Sequence, residues 1–174
     1  MEQTAQPGPP AATGARRAEL RSCLSRFPTG VCVVSVAAPH GVHGMTVSSF
    51  VSVSLEPPLV LVSVAREARA HDLLPGRPFC VNVLGAEQEA LARRFAGLDA
   101  PAETGWDESG IAPRLPGALA HLSCSPWRTD EAGDHTLVLG EVQDFGCRDG
   151  DALGYVNGRF LRIDAPVRGI EFLY

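Results

Sequence analysis

Gly44-Met45-Thr46-Val47-Ser48-Ser49-Phe50-Val51-Ser52-Val53-Ser54-Leu55 is the stretch on which the reading of this chain turns. Hydroxyls stand at positions 46, 48, 52 and 54 and aliphatic side chains at 47, 51, 53 and 55, and only Ser49 and Phe50 break the alternation. Successive side chains of a strand point to opposite faces, so residues 46–55 read as one strand with an apolar and a hydroxyl face. Two uses of the hydroxyl face stay open. It can face water on a half-buried sheet. It can also wall a ligand: neutral hydroxyls and backbone N–H groups suit a ring with several carbonyl acceptors, because they fix no charge that would oppose a change of redox state.

Outward from this strand, Glu56-Pro57-Pro58 is a stop, and residues 59–65 and 79–84 are continuous apolar runs short enough for buried strands. Residues 31–36, 118–127, 136–145 and 159–163 complete a set of seven strands. Helices are fewer. Leu20, Cys23, Leu24 and Phe27 fall at i, i+3, i+4 and i+7 on a helix that starts at Arg16 and that Pro28 ends. A second helix is expected at 86–96 between Gly85 and Gly97, and one or two helical turns at 66–78. Residues 98–116, polar and rich in Gly and Pro, read as a long loop. The fold class is mainly β with a few helices, a barrel or a sandwich.

The chain has 174 residues, enough for one domain with a core that needs no disulfide or structural metal. Residues 1–15 carry no large aliphatic or aromatic side chain after Met1 and are expected to form a disordered tail, with the domain at 16–174. Fifteen basic against twenty acidic residues leave a net charge of −5, which argues against nucleic acid as a partner. Five cysteines without a C-x-x-C pair point to reduced thiols in a cytoplasmic protein rather than to a disulfide framework or a zinc cage. No run is long enough for a membrane span, and no phosphate loop, G-x-G-x-x-G, nucleophile elbow or H-E-x-x-H motif is present.

The string Gly44 to Phe50, followed by Ser52-Val53-Ser54-Leu55-Glu56-Pro57-Pro58-Leu59-Val60-Leu61, resembles the flavin reductase family of two-component monooxygenases. Phe27-Pro28-Thr29-Gly30-Val31, Phe79-Cys80-Val81-Asn82-Val83-Leu84 and Gly133-Asp134-His135 through Gly140-Glu141-Val142 match in the same order. The resemblance implies an FMN-binding split β-barrel, a homodimer, that uses NADH or NADPH to reduce FMN or FAD for a separate monooxygenase. Two alternatives share its fold: a flavoprotein that retains FMN and acts on another substrate as oxidase or reductase, and a non-catalytic flavin carrier.

Carried over by residue, the resemblance assigns the isoalloxazine to Gly44, Met45, Thr46, Ser48 and Ser49, with Ser63, Val64 and Ala65 on the neighbouring strand. It assigns the flavin phosphate to Arg69, Ala70, Arg94 and Phe95, although Ala68 and Ala70 stand where relatives offer a hydroxyl. It places His135 beside the nicotinamide as the catalytic residue and gives Asn157, Gly158, Arg159 and Phe160 to NAD(P)H. Without the resemblance, His135 reads as a surface residue at a strand edge and the two arginines as a solvated face.

Overall fold

The structure, a computed structural model, describes residues 13–98, 100 and 104–164. Most of the expected tail, residues 1–12, and the end of the expected domain, 165–174, lie outside the described residues. In chain order the strands are β1 (Thr29–Gly30), β2 (Cys32–Ala38), β3 (Gly41–Val47), β4 (Val51–Leu55), β5 (Pro58–Ala65), β6 (Phe79–Val83), β7 (Ala120–Ala132), β8 (His135–Cys147), β9 (Ala152–Val156) and β10 (Arg159–Ile163). Seven of them form one antiparallel sheet in the order β3-β2-β6-β7-β8-β5-β4, and β1-β9-β10 form a second.

The expected single strand at 46–55 is two strands. β3 ends at Val47, the chain turns through Ser48-Ser49-Phe50, and β4 begins at the opposite edge of the same sheet. The four steps from Val47 to Val51 reach at most about 14 Å. Laid flat, a seven-stranded sheet would hold its edge strands about 29 Å apart. The sheet must therefore curl until its edges nearly meet, which makes a barrel split between β3 and the β4–β5 pair. Ser49 and Phe50, the two residues that interrupt the alternation, sit at the break.

Inside the curl, Val34, Val36, Val62, Val64, Phe79, Val81, Cys124 and Val138 form the main core. A second cluster, Val31, Val33, Leu84, Ala92, Leu115 and Leu153, fills the other side of β2. Because β2 is buried on both faces, residues 31–36 read as an apolar run interrupted only by Ser35, rather than as an alternating one. β1 and β9 escape the sequence pattern. β9 carries Gly154, where an added Cβ would lie 2.6 Å from Ile163 Cδ1, so close packing against β10 removed the side chain that would have marked a strand.

The first helix, α1 (Gly14–Leu24), starts two residues before the expected Arg16 and buries none of its residues. Leu20, Leu24 and Phe27 are 58%, 64% and 73% exposed, so among the described residues the stripe is left largely uncovered. The second helix is a 3-10 turn at Ala86–Gln88 running into α2 (Glu89–Phe95), with Ala92 buried in the second cluster.

The expected loop at 98–116 is held, not loose, over its described part. Asp107 and Arg114 exchange backbone bonds of 3.0 and 2.8 Å and join through Arg114 Nη2 and Asp107 Oδ2 at 2.6 Å. Its far end is pinned to the core: the Leu115 N–H donates to Asn82 Oδ1 at 2.8 Å, and Ser35 Oγ donates to the Pro113 carbonyl at 2.5 Å. Asn82 also donates to Val33 O and Ser35 Oγ, so this buried amide is satisfied on both ends.

Candidate functional site

A cleft of about 890 Å³ opens at the split in the barrel. Its walls are β3, β5, the turn after β5, the end of α2 and the first residue of β8. Gly44, Met45, Thr46, Ser48, Ser49, Ser63, Val64, Ala65, Arg69, Ala70, Arg94, Phe95 and His135 all line it. These residues come from five separate segments, and the sheet register accounts for the meeting: β5 pairs with β8 so that Ala65 stands opposite His135.

Several of the expected ligand donors are already engaged. Thr46 Oγ1 donates to the Ala92 carbonyl at 2.7 Å, which ties β3 to α2. Ser49 Oγ donates to Ser63 O at 2.9 Å and accepts from Ser63 N–H at 3.0 Å, a two-way bridge from the turn to β5. A hydroxyl has one proton, so neither residue has a donor left for a ligand, though Thr46 keeps a lone pair to accept with. The hydroxyl face is thus in part the mortar of the cleft. Ser48 is exposed and lines the cleft, so its hydroxyl is placed to meet a ligand. Ser52 and Ser54 lie on β4 and do not line it.

Gly44 has a steric reason to be glycine: a Cβ there would fall 2.8 Å from both Cδ1 and Cε1 of Phe95. The Phe95 ring lies on the bare backbone of β3 and forms one wall, with the Trp106 ring against it at a centroid distance of 5.5 Å.

The ionisable side chains lining the cleft are His43, Arg69, Arg94 and His135, and none is acidic. This is a local inversion of charge in a chain of net −5. His43 is pushed below the ordinary imidazole value, first by burial and then by the charge of Arg69. His135 Nδ1 lies 2.7 Å from Asp134 Oδ1, and that bond holds the aspartate carboxyl below its usual range. The turn that carries Arg69 is fixed by buried Ala70 and by His71, whose Nε2 lies 3.0 Å from Thr136 Oγ1. Sequence reasoning left His43 unassigned. Extending the strand back from Met45 to Gly41 would have brought it to the same wall.

Residues 157–160 divide. Gly158 and Phe160 line a smaller cavity of about 250 Å³ that shares Thr46, Val47 and Ser48 with the main cleft. Asn157 and Arg159 line a surface groove with Ser22, Ser25 and Arg26, which Phe160 borders as well. Asn157 has φ 50°, a left-handed turn conformation that Asn tolerates, and its N–H donates to Ser25 O at 2.8 Å. Phe160 borders both the smaller cavity and the groove, and none of the four residues lines the main cleft with His135.

The cleft fits a flavin by size, shape and charge. Its volume lies within the range of about 300–1,000 Å³ that holds cofactor-sized ligands. One wall is aromatic, the exposed Ser48 supplies a neutral hydroxyl, and the cations suit a phosphate tail.

Comparison with known proteins gives one consistent result. The family described as flavin reductase like domain matches residues 24–164. The FMN reductase (NADH) of Agrobacterium fabrum is 40% identical over 153 residues, covering 86% of this chain and 87% of its own. The NADH-dependent FAD reductase of Streptomyces globisporus is 48% identical over 136 residues, covering 72% and 74%. Among solved structures, the flavin reductase component of a bacterial two-component tryptophan halogenase superposes with a TM-score of 0.77 at 38% identity, covering 86% of this chain and 99% of that one.

Proposed function

This chain belongs to the flavin reductase-like family and is a nicotinamide-dependent flavin oxidoreductase, and from that premise we propose that the cleft between β3, β5 and α2 is where FMN or FAD is reduced. The observation that carries the reading is the convergence of five chain segments on one flavin-sized cleft lined, among the described residues, by two arginines, two histidines and no acidic side chain.

The chemistry supplied there is hydride transfer from C4 of NADH or NADPH to N5 of the flavin, which needs the two rings stacked with the reacting atoms about 3–3.5 Å apart. The chain's task is positioning. Ser48 and backbone N–H groups of β3 hold the ring's polar edge. Arg69 and Arg94 take the phosphate through charge-assisted, bidentate N–H bonds, where Ala68 and Ala70 offer no hydroxyl. His43, kept neutral by burial and Arg69, adds a polar contact without adding charge. His135, with Nδ1 engaged by Asp134, offers Nε2 to the nicotinamide carboxamide. The second cavity, with Gly158 and Phe160, abuts the cleft and is the part of the 157–160 turn that can reach the nicotinamide dinucleotide.

Purified protein should consume NADH or NADPH in the presence of added FMN or FAD. Consumption at the no-enzyme rate with every pairing would overturn the assignment. His135→Ala should lower kcat/KM for the nicotinamide by roughly tenfold to a hundredfold while flavin affinity holds, since the two contacts differ.

The reduced flavin is released to a separate monooxygenase, as the reductase component of a two-component system. The protein acts as a homodimer: Leu20, Leu24 and Phe27 around α1 and Val51, Val53 and Leu55 on edge strand β4 are all exposed apolar surface that a second copy would cover. Light scattering that returns a mass near 18.4 kDa would refute the dimer. Among the described residues, no helix is long and apolar enough to cross a membrane.

A further inference from the structure

We propose that Trp106, which lies outside the cleft, is a positioning residue for flavin binding: the clasped segment 104–115 exists to brace Phe95, the aromatic wall. The inference rests on the flavin reading of the cleft.

Three observations support it. Phe95 lines the cleft and Trp106 does not, yet the two rings are in contact, 5.5 Å apart between centroids and tilted by 51°. Phe95 also lies against Gly44, close enough to exclude a Cβ, so its ring is in contact with both the cleft's strand and the segment behind. The third observation is the investment in holding that segment still. Asp107, next to Trp106, is joined to Arg114 by two backbone bonds and one charged bond, and Arg114 Nη2 also donates to Ser109 Oγ at 3.0 Å. On either side of Arg114, buried Ser35 and Asn82 bond to Pro113 and Leu115. Ala112, Pro113 and Leu115 are themselves buried, so the clasp holds Trp106 to a segment anchored in the same core cluster that Phe95 packs against.

The rest of the wall does not make Trp106 redundant. Thr46 ties α2 to β3 at Ala92, one turn before Phe95, so the helix is fixed there while the last side chain still needs a neighbour to select its position. Trp106 supplies that neighbour.

The test compares Trp106→Ala, Trp106→Phe and Asp107→Asn with the wild type. It measures the flavin Kd by fluorescence titration, KM for flavin and for NADH separately, kcat and the melting temperature. Trp106→Ala should raise flavin Kd and KM about five- to tenfold, the size of one lost aromatic pair. Saturating kcat and the KM for NADH should stay within about twofold of wild type, a split that general destabilisation would not produce. Trp106→Phe should restore most of the affinity, because it keeps a ring against Phe95. Asp107→Asn, isosteric and partly exposed, should raise the flavin Kd about two- to threefold by loosening the clasp alone. Flavin Kd equal to wild type in Trp106→Ala refutes the brace, as does a loss in that variant that Trp106→Phe leaves unrepaired. Should Trp106→Ala not fold, Asp107→Asn decides, and an unchanged flavin Kd there refutes the brace. Failure of the wild type to bind any flavin would instead overturn the reading of the cleft.

Discussion

Gly44→Ala should damage the cleft through Phe95 alone, and the size of the effect follows from distances. The glycine is outside the left-handed region, so alanine strains no backbone angle there. What it adds is one methyl carbon 2.8 Å from Phe95 Cδ1 and Cε1 and 3.3 Å from Cγ. Carbon atoms rest about 3.5–4.0 Å apart, so the ring must retreat by about 0.7–1.2 Å. It has little freedom to do so, with Trp106 against it and α2 tied to β3 through Thr46. Overpacking of this kind costs about 1–3 kcal/mol. If the ring swings into the cleft, that range appears as a flavin Kd about five- to 150-fold weaker. If α2 yields instead, it appears as a fall of about 2–12 °C in melting temperature. Flavin titration and a thermal melt on the same sample separate the two routes. The decisive control is the double variant with Phe95→Ala, in which the added methyl has no ring to strike and should cost nothing further. A Gly44→Ala protein with wild-type Kd and melting temperature refutes the contact, and so does a penalty that persists undiminished without the Phe95 ring.

Ser49→Ala should lower stability by about 1–3 kcal/mol, seen as a reduced urea midpoint, because the Ser63 N–H and C=O both lose the partner they share. Asp107 titrates at about 2 in the folded chain against an ordinary 3.8, held down by its bonds to Ser109 and Arg114. A carboxyl depressed on folding contributes stability that is complete above the unfolded value and lost as pH falls through the folded one. The melting-temperature difference between wild type and Asp107→Asn should therefore be constant above pH 3.8 and shrink toward pH 2. Burial pushes the Cys32 and Cys124 thiols up to about 12 and Cys80 to about 11, so alkylation of the folded protein at pH 8 should spare all three until denaturant is added.

The strands that face one buried layer or two were legible, since their side chains declare the burial: residues 31–36, 59–65 and 79–84 are strands where the apolar runs fall. The curl of the barrel was not. Alternation across 46–55 continues on both sides of the turn with its parity unchanged, so a strand that leaves one edge of the sheet and returns at the other looks continuous. Only Ser49 and Phe50 carried the signal, and a bulge would have broken the pattern in the same way. The stripe on α1 shows the reverse failure. Its spacing is that of a packed helix, yet among the described residues it is left largely exposed, because periodicity marks an apolar face and does not say what covers it.

The site divides along a physical line as well. A resemblance in sequence transfers positions, and thirteen of the residues it assigned line one cleft. It does not transfer the job of each atom. Thr46 and Ser49 stand where a ligand donor was expected, but their protons go to Ala92 and Ser63 carbonyls, so the hydroxyls at these positions shape the cleft before any ligand enters. Which of its partners a hydroxyl chooses depends on a carbonyl that another segment brings within 3 Å, here from residues 46 and 14 positions away, and no local pattern encodes that approach. The consequence reaches the chemistry. At Thr46 and Ser49, where the hydroxyl protons are already used, the wall is held before any ligand arrives, and the contacts among Gly44, Phe95 and Trp106 fix its aromatic side.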